Sequence, residues 1–488
     1  MDIQRYEPVI GLEIHAELKT RSKMFCGCSA DHVSTLHPNT LICPVCIALP
    51  GAMPSLNRMA MDSAILVGLA LNCQINPVNS FARKNYFYPD LPKGYQISQY
   101  DQPVASNGWL DLFPDHPEQM MKIGIRRVHL EEDTAKLLHT NDGTLIDFNR
   151  AGVPLLEIVT EPEFHSVEAV VEFATKLRTI LRYLEVNSGD MEKGILRFEA
   201  NVSLRPAGSL LFNTRTEIKN LNSFRALSRS IQSEMIRQAQ IYDKGSQVIQ
   251  ETLGWDEARE KVYSQRGKEE ANDYRYFPEP DIPPITVEKA WVDKIAKRLP
   301  ELQDARVARF VKDHGLIYKD AWSLCQEKAM ADYFEKTAAL TKVPAKVVFN
   351  WISGEFTRNL NERNIPFEKI PVSAQNMAQL LDLNSAKVIN DYASKEVLAE
   401  MFSTNQRPQD IIKARGISQI SDESELEGIV QRIISENPKE LGLYQNGKTT
   451  LFAWFMGQVS KATKGQSNPQ IVRVILSRHL DEDKTQES

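Results

Sequence analysis

The sequence predicts an α+β protein: an amino-terminal domain built on a mixed or antiparallel sheet, then an all-helical domain, then a small helical tail. Three observations carry this expectation. Runs such as "PVIGLEIHAEL", "VPLLEIVTE" and "RFEANVSLRP" recur in the amino-terminal part, short and β-like, with alternation where strand periodicity is clearest. Beyond "PEPDIPPITVEKAW" such runs give way to helical patterns of modest length, and after a second break near "STNQRPQD" the chain is helical and locally basic. The boundaries expected from these breaks are 1–292, 293–406 and 407–480, with the acidic "DEDKTQES" (481–488) as a disordered end.

With 488 residues, of which 42% are hydrophobic, the chain exceeds what one ordinary core holds. No run approaches the roughly 18 uninterrupted apolar residues of a membrane span. The opening "MDIQRYEPVI" lacks the basic-then-apolar pattern of a secretory signal. The expectation is a cytoplasmic protein with no membrane contact.

The first strand-like run, "VIGLEIHAELKT", alternates strictly. Ile10, Leu12, Ile14 and Ala16 fall on one side, and Gly11, Glu13, His15 and Glu17 on the other. Alternation alone gives a strand with one polar face, and such a face is ordinarily solvated.

Four of the six cysteines crowd into "CGCSADHVSTLHPNTLICPVC": Cys26, Cys28, Cys43 and Cys46. In a cytoplasmic chain, two close pairs joined by a loop read as a tetrahedral Zn²⁺ site rather than disulfides. All four positions would be filled, so the zinc is expected to be structural. Cys73 and Cys325 read as core residues.

The next segment, "RKNYFYPDLPKGYQISQYDQP", interleaves Arg83, Lys84 and Lys93 with tyrosines, and its three prolines favour an ordered loop. Lysines beside aromatics can hold phosphates, stack on bases or line a polar passage. Carboxylates then appear inside apolar runs. "RVHLEEDTAK" carries His129, Glu131, Glu132 and Asp133, and "VPLLEIVTEPE" places Glu157 among Leu155, Leu156, Ile158 and Val159. A carboxylate in such a run needs a partner, because burying it unpaired is costly. Oxygen ligands suit Mg²⁺, which keeps waters for substrate phosphates, and an imidazole such as His15 also tolerates Mn²⁺.

Two helices are expected from Ser166 and Ser223, each serine an N-cap, the second ending before Gly245. "RFEANVSLRP" alternates Arg197, Glu199, Asn201, Ser203 and Arg205, and "TEIKNLNSF" adds Lys219 and Asn220. Arg205, Lys219 and Asn220 are candidates for phosphate contacts on residue chemistry.

The net charge is −6, yet between Tyr444 and His479 there are Lys448, Lys461, Lys464, Arg473 and Arg478 and no acid, so a polyanion could be held there. "GLYQNGKT" (Gly442–Thr449) fits a phosphate-loop expression. That motif needs a buried strand running into it, and "SENPKEL" is polar and interrupted by Pro438, so the nucleotide reading is rejected. Gly447 is expected to end one helix before the next begins.

Together, "VIGLEIHAELKTRSKMF", "RKNYFYPDLPKGYQISQYDQP", "HLEEDTAK", "PLLEIVTEP", "EIKNLNSF", "DYRYFPEPD" and "KATKGQSNPQ" closely resemble the GatB/GatE family, the B subunits of tRNA-dependent amidotransferases. The resemblance runs in order over essentially the whole chain. It implies a cradle domain with the active site (1–292), a helical domain, and a YqeY-like tail that binds tRNA through Lys448, Lys461, Lys464, Arg473 and Arg478. It implies a heterotrimer with an amidase-type partner (the A subunit) and a small third partner (the C subunit). The amidase-type partner releases ammonia from glutamine and channels it to the B subunit. There the side-chain carboxylate of misacylated Glu-tRNA(Gln) or Asp-tRNA(Asn) is activated by ATP as an acyl phosphate and amidated, a carbon–nitrogen ligase reaction. The matching Mg²⁺ ligands are His15, Glu132 and Glu157 with Glu13 adjacent. Lys84 and Lys93 match the family's channel and site lysines, and Glu132 is placed near the channel mouth as a proton relay. No Gly/Ser-rich amidase stretch or Cys-His pair suggests a glutaminase in this chain, which puts glutamine hydrolysis in a partner. A zinc-containing tRNA-binding protein without catalysis is the alternative.

Overall fold

A computed structural model describes residues 5–35, 37–113, 119–267, 274–416, 422–463 and 467–481. The chain divides into two compact units, Met1–Ala305 and Arg306–Ser488.

The first unit is organised by one mixed sheet. From one end the strands run Lys261–Gly267, Glu251–Asp256, Thr216–Leu221, Leu196–Pro206, Tyr6–Glu17, Pro154–Thr160, Met121–Glu132, Tyr95–Ser98, Ala82–Asn85 and Phe277–Pro278. Every pairing along this path is antiparallel except Thr216–Leu221 with Glu251–Asp256. The expected alternation of the first strand holds: Ile10, Leu12, Ile14 and Ala16 are at most 1% exposed. Directly opposite residues of paired strands share a face. Leu156 and Ile158, Val128 and Leu130, and Phe198, Ala200 and Val202 therefore join them to form the core side of the sheet.

Helices cover that apolar face. Val167–Tyr183 starts at Ser166, whose Oγ accepts from the Ala169 amide at 3.2 Å, and Phe224–Asp243 starts at Ser223, whose Oγ accepts from Ala226 at 2.9 Å. Helix Arg58–Ala70 lies close to the sheet because Gly68 has no side chain. A Cβ there would come within 2.8 Å of the Ala105 methyl and 2.9 Å of Ile75. Cys73 is buried in the same cluster.

The proline-rich segment differs from the expected loop. Ala82–Asn85 and Tyr95–Ser98 pair as a hairpin, with Lys84 opposite Gln96. Pro89 and Pro92 both fall in the connection, where no ladder amide is needed, so they leave the strands intact.

The second unit is helical, and its described residues form two apolar clusters. One spans Val307 to Ile411 and includes Cys325; the other spans Leu426 to Leu480. Helix Pro408–Arg415, placed by sequence at the start of the tail, buries Ile411 in the first of these clusters. In the tail, helix Pro438–Gln445 passes through Gly447 at φ +96° into helix Leu451–Ala462. Lys448 thus follows a helix rather than a strand.

Candidate functional site

The antiparallel registers that bury the apolar residues bring a row of titratable groups together on the other face. His129 pairs with Glu157, Glu157 with His15, and His15 with Arg197 across four adjacent strands. Two residues further along, Arg127, Val159, Glu13 and Glu199 form the next row. Glu131 follows His129 by two on the same strand, so it points to this face as well.

These groups line a cavity of about 580 Å³ together with Lys84, Lys219, Glu217, Asp133, Tyr100 and Tyr276. His15 Nε2 lies 3.4 Å from Glu157 Oε2 and 3.6 Å from Glu131 Oε1, and His129 Nε2 is 3.3 Å from Glu157 Oε2. Burial alone would lower the His15 pKa, but Glu157, Glu199 and Glu131 outweigh it and raise it to about 9. Burial pushes Glu157 up, yet His129 and His15 hold it well below the usual carboxylate range. Glu13 is raised by burial and by the charges of Glu157, Glu199 and Glu217, and it accepts a 2.9 Å hydrogen bond from Asn201.

Among the described residues, two sets of three ligand atoms in this cavity lie within 4.8 Å of one another: His15, Glu131 and Glu157, and Glu13, Glu199 and Glu217. The second set is already served by a cation, since Lys219 Nζ is 2.8 Å from Glu199 and 3.6 Å from Glu217. Burial works against the Lys219 charge, but these two carboxylates keep its pKa above the ordinary value. The first set fits a divalent ion better. Glu131 Oε2 is buried without a hydrogen-bond partner, and two carboxylates with an imidazole suit Mg²⁺ or Mn²⁺.

Lys84 lies 5.1 Å over the Tyr274 ring and lines the same cavity. Burial would lower its pKa, but Tyr276, Glu131 and Glu157 raise it well above the ordinary value, so it faces the acids as a cation.

Glu132 is not with His15. Its odd spacing from Glu131 turns it to the opposite face, where it meets Lys93 Nζ at 2.6 Å and accepts the Ile97 amide at 2.9 Å. The pair lines a second cavity of about 220 Å³, whose walls include Phe25, Cys26, Cys46 and Gly152. The place beside His15 that the resemblance gave to Glu132 is taken by its neighbour Glu131. Glu17 faces neither group, and its Oε2 meets His32 Nε2 at 2.8 Å.

Cys26, Cys28, Cys43 and Cys46 come together, their sulfurs within 4.8 Å of one another. A hydrogen bond from Cys26 lowers the Cys46 pKa to about 5, against burial and with help from the Cys43 amide and the ammonium of Lys23, 3.8 Å away. Burial pushes Cys28 up to about 11. A thiolate stabilised beside three further sulfurs is the donor set of a closed zinc site.

The remaining sequence candidates are dispersed. Asn220 lines the main cavity with Lys219, whereas Arg205 is engaged by Glu7 at 3.0 Å outside its lining. In the tail, Lys448, Lys461 and Arg473 are exposed. Arg478 is drawn to Glu423 and Glu427, and Lys464 lies outside the described residues. No helix among the described residues is long and apolar enough to cross a membrane. His129, Glu131, Glu199 and Glu217 belong to the site although no local pattern in the sequence singles them out from their neighbours. What marks His129 and Glu131 is the two-residue period of "RVHLEE" once its core residues are known: with Val128 and Leu130 in the core, Arg127, His129 and Glu131 must share the polar face.

The GatB/GatE catalytic domain matches residues 8–293 and the GatB domain matches residues 332–480. A protein of Thermoanaerobacter sp. (strain X514) is 47% identical over 477 residues, covering 98% of this chain and 99% of its own. One of Thermodesulfovibrio yellowstonii is 45% identical over 479 residues, covering 98% and 100%. One of Moorella thermoacetica is 47% identical over 481 residues, covering 97% and 100%. All three are named as the B subunit of aspartyl/glutamyl-tRNA(Asn/Gln) amidotransferase.

Proposed function

The chain belongs to the GatB/GatE family, and from that premise we propose that it is the amidating subunit of a tRNA-dependent amidotransferase. It is a carbon–nitrogen ligase with glutamine as the amido donor. Its partners are the amidase-type A subunit and the small C subunit, and its substrates are ATP and Glu-tRNA(Gln) or Asp-tRNA(Asn). The observation that best supports catalysis in this chain, rather than RNA binding alone, is the buried cluster of His15, Glu131 and Glu157 opposed by the Lys84 ammonium. A binding module has no need to sustain the cost of so many buried charges.

In this reading, a side-chain carboxylate oxygen of the aminoacyl group attacks the γ-phosphorus of ATP and ADP leaves. Ammonia nitrogen then attacks the acyl phosphate carbonyl, and inorganic phosphate leaves as its bond to the acyl carbon breaks. His15, Glu131 and Glu157 would hold Mg²⁺, with Glu13 supporting from the adjacent row. When bound, the ion supplies positive charge at the γ-phosphate. His15 would serve such an ion as the neutral imidazole, the form that has a lone pair to donate.

Lys84 offers its ammonium to the anionic reactants within the same cavity. The Glu132 carboxylate, oriented by Lys93 and the Ile97 amide, takes a proton as NH₄⁺ becomes the nucleophilic NH₃. The four cysteines, which wall this second cavity in part, would hold Zn²⁺, and the ion would fix their knuckle. Residues 1–292 carry the chemistry, 293–406 form a helical domain, and 407–480 bind the tRNA body through exposed basic side chains, in the cytoplasm.

The test is reconstitution. The purified chain is combined with its two partners, misacylated tRNA, glutamine, ATP and Mg²⁺, and product tRNA is analysed for Gln or Asn. Formation of either is the expected result. No amide product with either misacylated tRNA overturns the reading.

A further inference from the structure

Among the described residues, six lysine and arginine side chains line the main cavity: Lys84, Arg127, Arg150, Arg197, Arg215 and Lys219. Three are already matched by carboxylates. Arg150 and Arg197 face Asp133 at 3.7 and 3.0 Å, and Lys219 faces Glu199 at 2.8 Å. Lys84 is set among the acids of the His15 cluster, and Arg215 is exposed to solvent.

Arg127 is in a different position from all of these. Its Nε is buried and finds no hydrogen-bond acceptor, and it makes no ion pair among the described residues. Its neighbour Arg126, on the other face of the strand, is fully engaged by Glu161. A guanidinium donor withdrawn from water with nothing to bond is unfavourable in the free protein and is satisfied when a ligand supplies an acceptor.

The surroundings of Arg127 say what kind of acceptor that is. Arg127 and Tyr100 belong to the walls of two cavities at once, the main one and a shallower depression of about 470 Å³ bounded by Asn76 and Gln102. Tyr100 stacks on Tyr276 with centroids 4.2 Å apart and planes 10° apart, which fixes the ring, and the Arg127 guanidinium lies 6.0 Å from its centroid. The side chain therefore stands in a doorway between the two cavities. Its planar fork matches the oxygens of a phosphate group. The acids of the cavity stand on the same strand: His129 and Glu131 follow at two-residue steps on the same face. A phosphate held by Arg127 would sit at the edge of the His15 cluster.

We propose that Arg127 binds a phosphate group of the substrate at the doorway between the two cavities, placing the reacting end of that substrate over the His15 cluster. The phosphate comes from one of two sources, the triphosphate of ATP or the phosphodiester backbone of the tRNA acceptor end. The inference rests on the functional reading above, and its test separates the two.

The full chain is assembled with its partner subunits as the unsubstituted protein, Arg127→Gln and Arg127→Lys. KM values for ATP and for misacylated tRNA are measured with ammonium chloride as nitrogen donor. Arg127→Gln is expected to raise at least one KM about tenfold while changing kcat by less than about threefold, and Arg127→Lys to recover part of the loss because it keeps the charge without the fork. A rise for ATP alone assigns the triphosphate. A rise that includes tRNA assigns the acceptor end. Both KM values within about twofold of the unsubstituted complex, with kcat either kept or lost, overturn the proposal. If the unsubstituted complex forms no amide product, the functional reading fails. Arg127 is then judged on direct binding of ATP and of uncharged tRNA, where unchanged affinity in both variants overturns it. The lysine variant keeps the test decisive should the glutamine variant fold poorly.

Discussion

His15 and Glu157 stand opposite one another on paired antiparallel strands, with Nε2 and Oε2 3.4 Å apart and Glu131 and His129 closing around them. The arrangement depends on register. A shift of one residue in either pairing would carry Glu157 into the core and Leu156 or Ile158 into the cavity.

The separation of Glu131 from Glu132 gives the first prediction. In the assembled complex, Glu131→Gln should raise the Mg²⁺ concentration needed for half-maximal amidation by about tenfold or more, since second-sphere and ligand losses cost on that order. Glu132→Gln should leave the Mg²⁺ requirement unchanged and lower amidation from glutamine. Equal Mg²⁺ titrations for both variants would remove Glu131 from the ligand set.

A second prediction concerns the cysteine centre. Elemental analysis of the purified chain should find close to one zinc per chain, and Cys43→Ser should lose most of it and lower the unfolding temperature, because metal affinity becomes folding stability when the site forms only in the folded chain. A Cys43→Ser protein with full zinc content and unchanged thermal unfolding would contradict a four-sulfur site.

Packing supplies a third. A Cβ added at Gly108 would come within 2.3 Å of the Cys73 sulfur and 2.5 Å of the Leu71 carbonyl oxygen. Gly108→Ala should therefore destabilise the first unit by about 1–3 kcal/mol, the usual cost of overpacking. Chemical denaturation monitored by tryptophan fluorescence checks this, and an unchanged midpoint would show that strand Ala105–Leu112 relaxes freely around Gly108.

The tail gives a fourth. Lys461→Ala combined with Arg473→Ala should raise the KM for tRNA several-fold and make its salt dependence shallower, since each lost phosphate contact removes about one unit of slope. Lys448→Ala alone should leave ATP turnover intact, because Lys448 follows helix Pro438–Gln445 rather than a phosphate-loop strand. Loss of ATP turnover in that variant would revive the rejected motif.

Much of this was legible in the amino acids. Ser166 and Ser223 announced their helices through side-chain oxygens that cap free amides, a local interaction needing no tertiary partner. The alternation of "VIGLEIHAEL" showed which side of the strand is buried, and the same period in "RFEANVSLRP" put Glu199 and Asn201 on one face. Hidden from local pattern was the order of strands. His15, Glu157 and His129 meet only because strands distant in sequence are neighbours in the sheet, and nothing within any one run says which run it pairs with. Glu131 and Glu132 were not told apart for a different reason. Two adjacent carboxylates look alike until the core residues Val128 and Leu130 set the parity of the strand. The hairpin from Ala82 to Ser98 was obscured because prolines in its connection masked two short strands that pair with each other, the second also meeting Met121–Glu132 at Ser98.

Whether the His15 cluster carries amidation in this chain is decided by one rate. The complex assembled with Glu157→Gln is supplied with misacylated tRNA, ATP, Mg²⁺ and ammonium chloride, so that neither glutamine hydrolysis nor ammonia delivery limits the outcome. Amide formation should fall by about a hundredfold or more, as expected when a group that organises transition-state charge is neutralised, while glutaminase activity persists. Amidation from ammonium at the unsubstituted rate would contradict that role of the cluster.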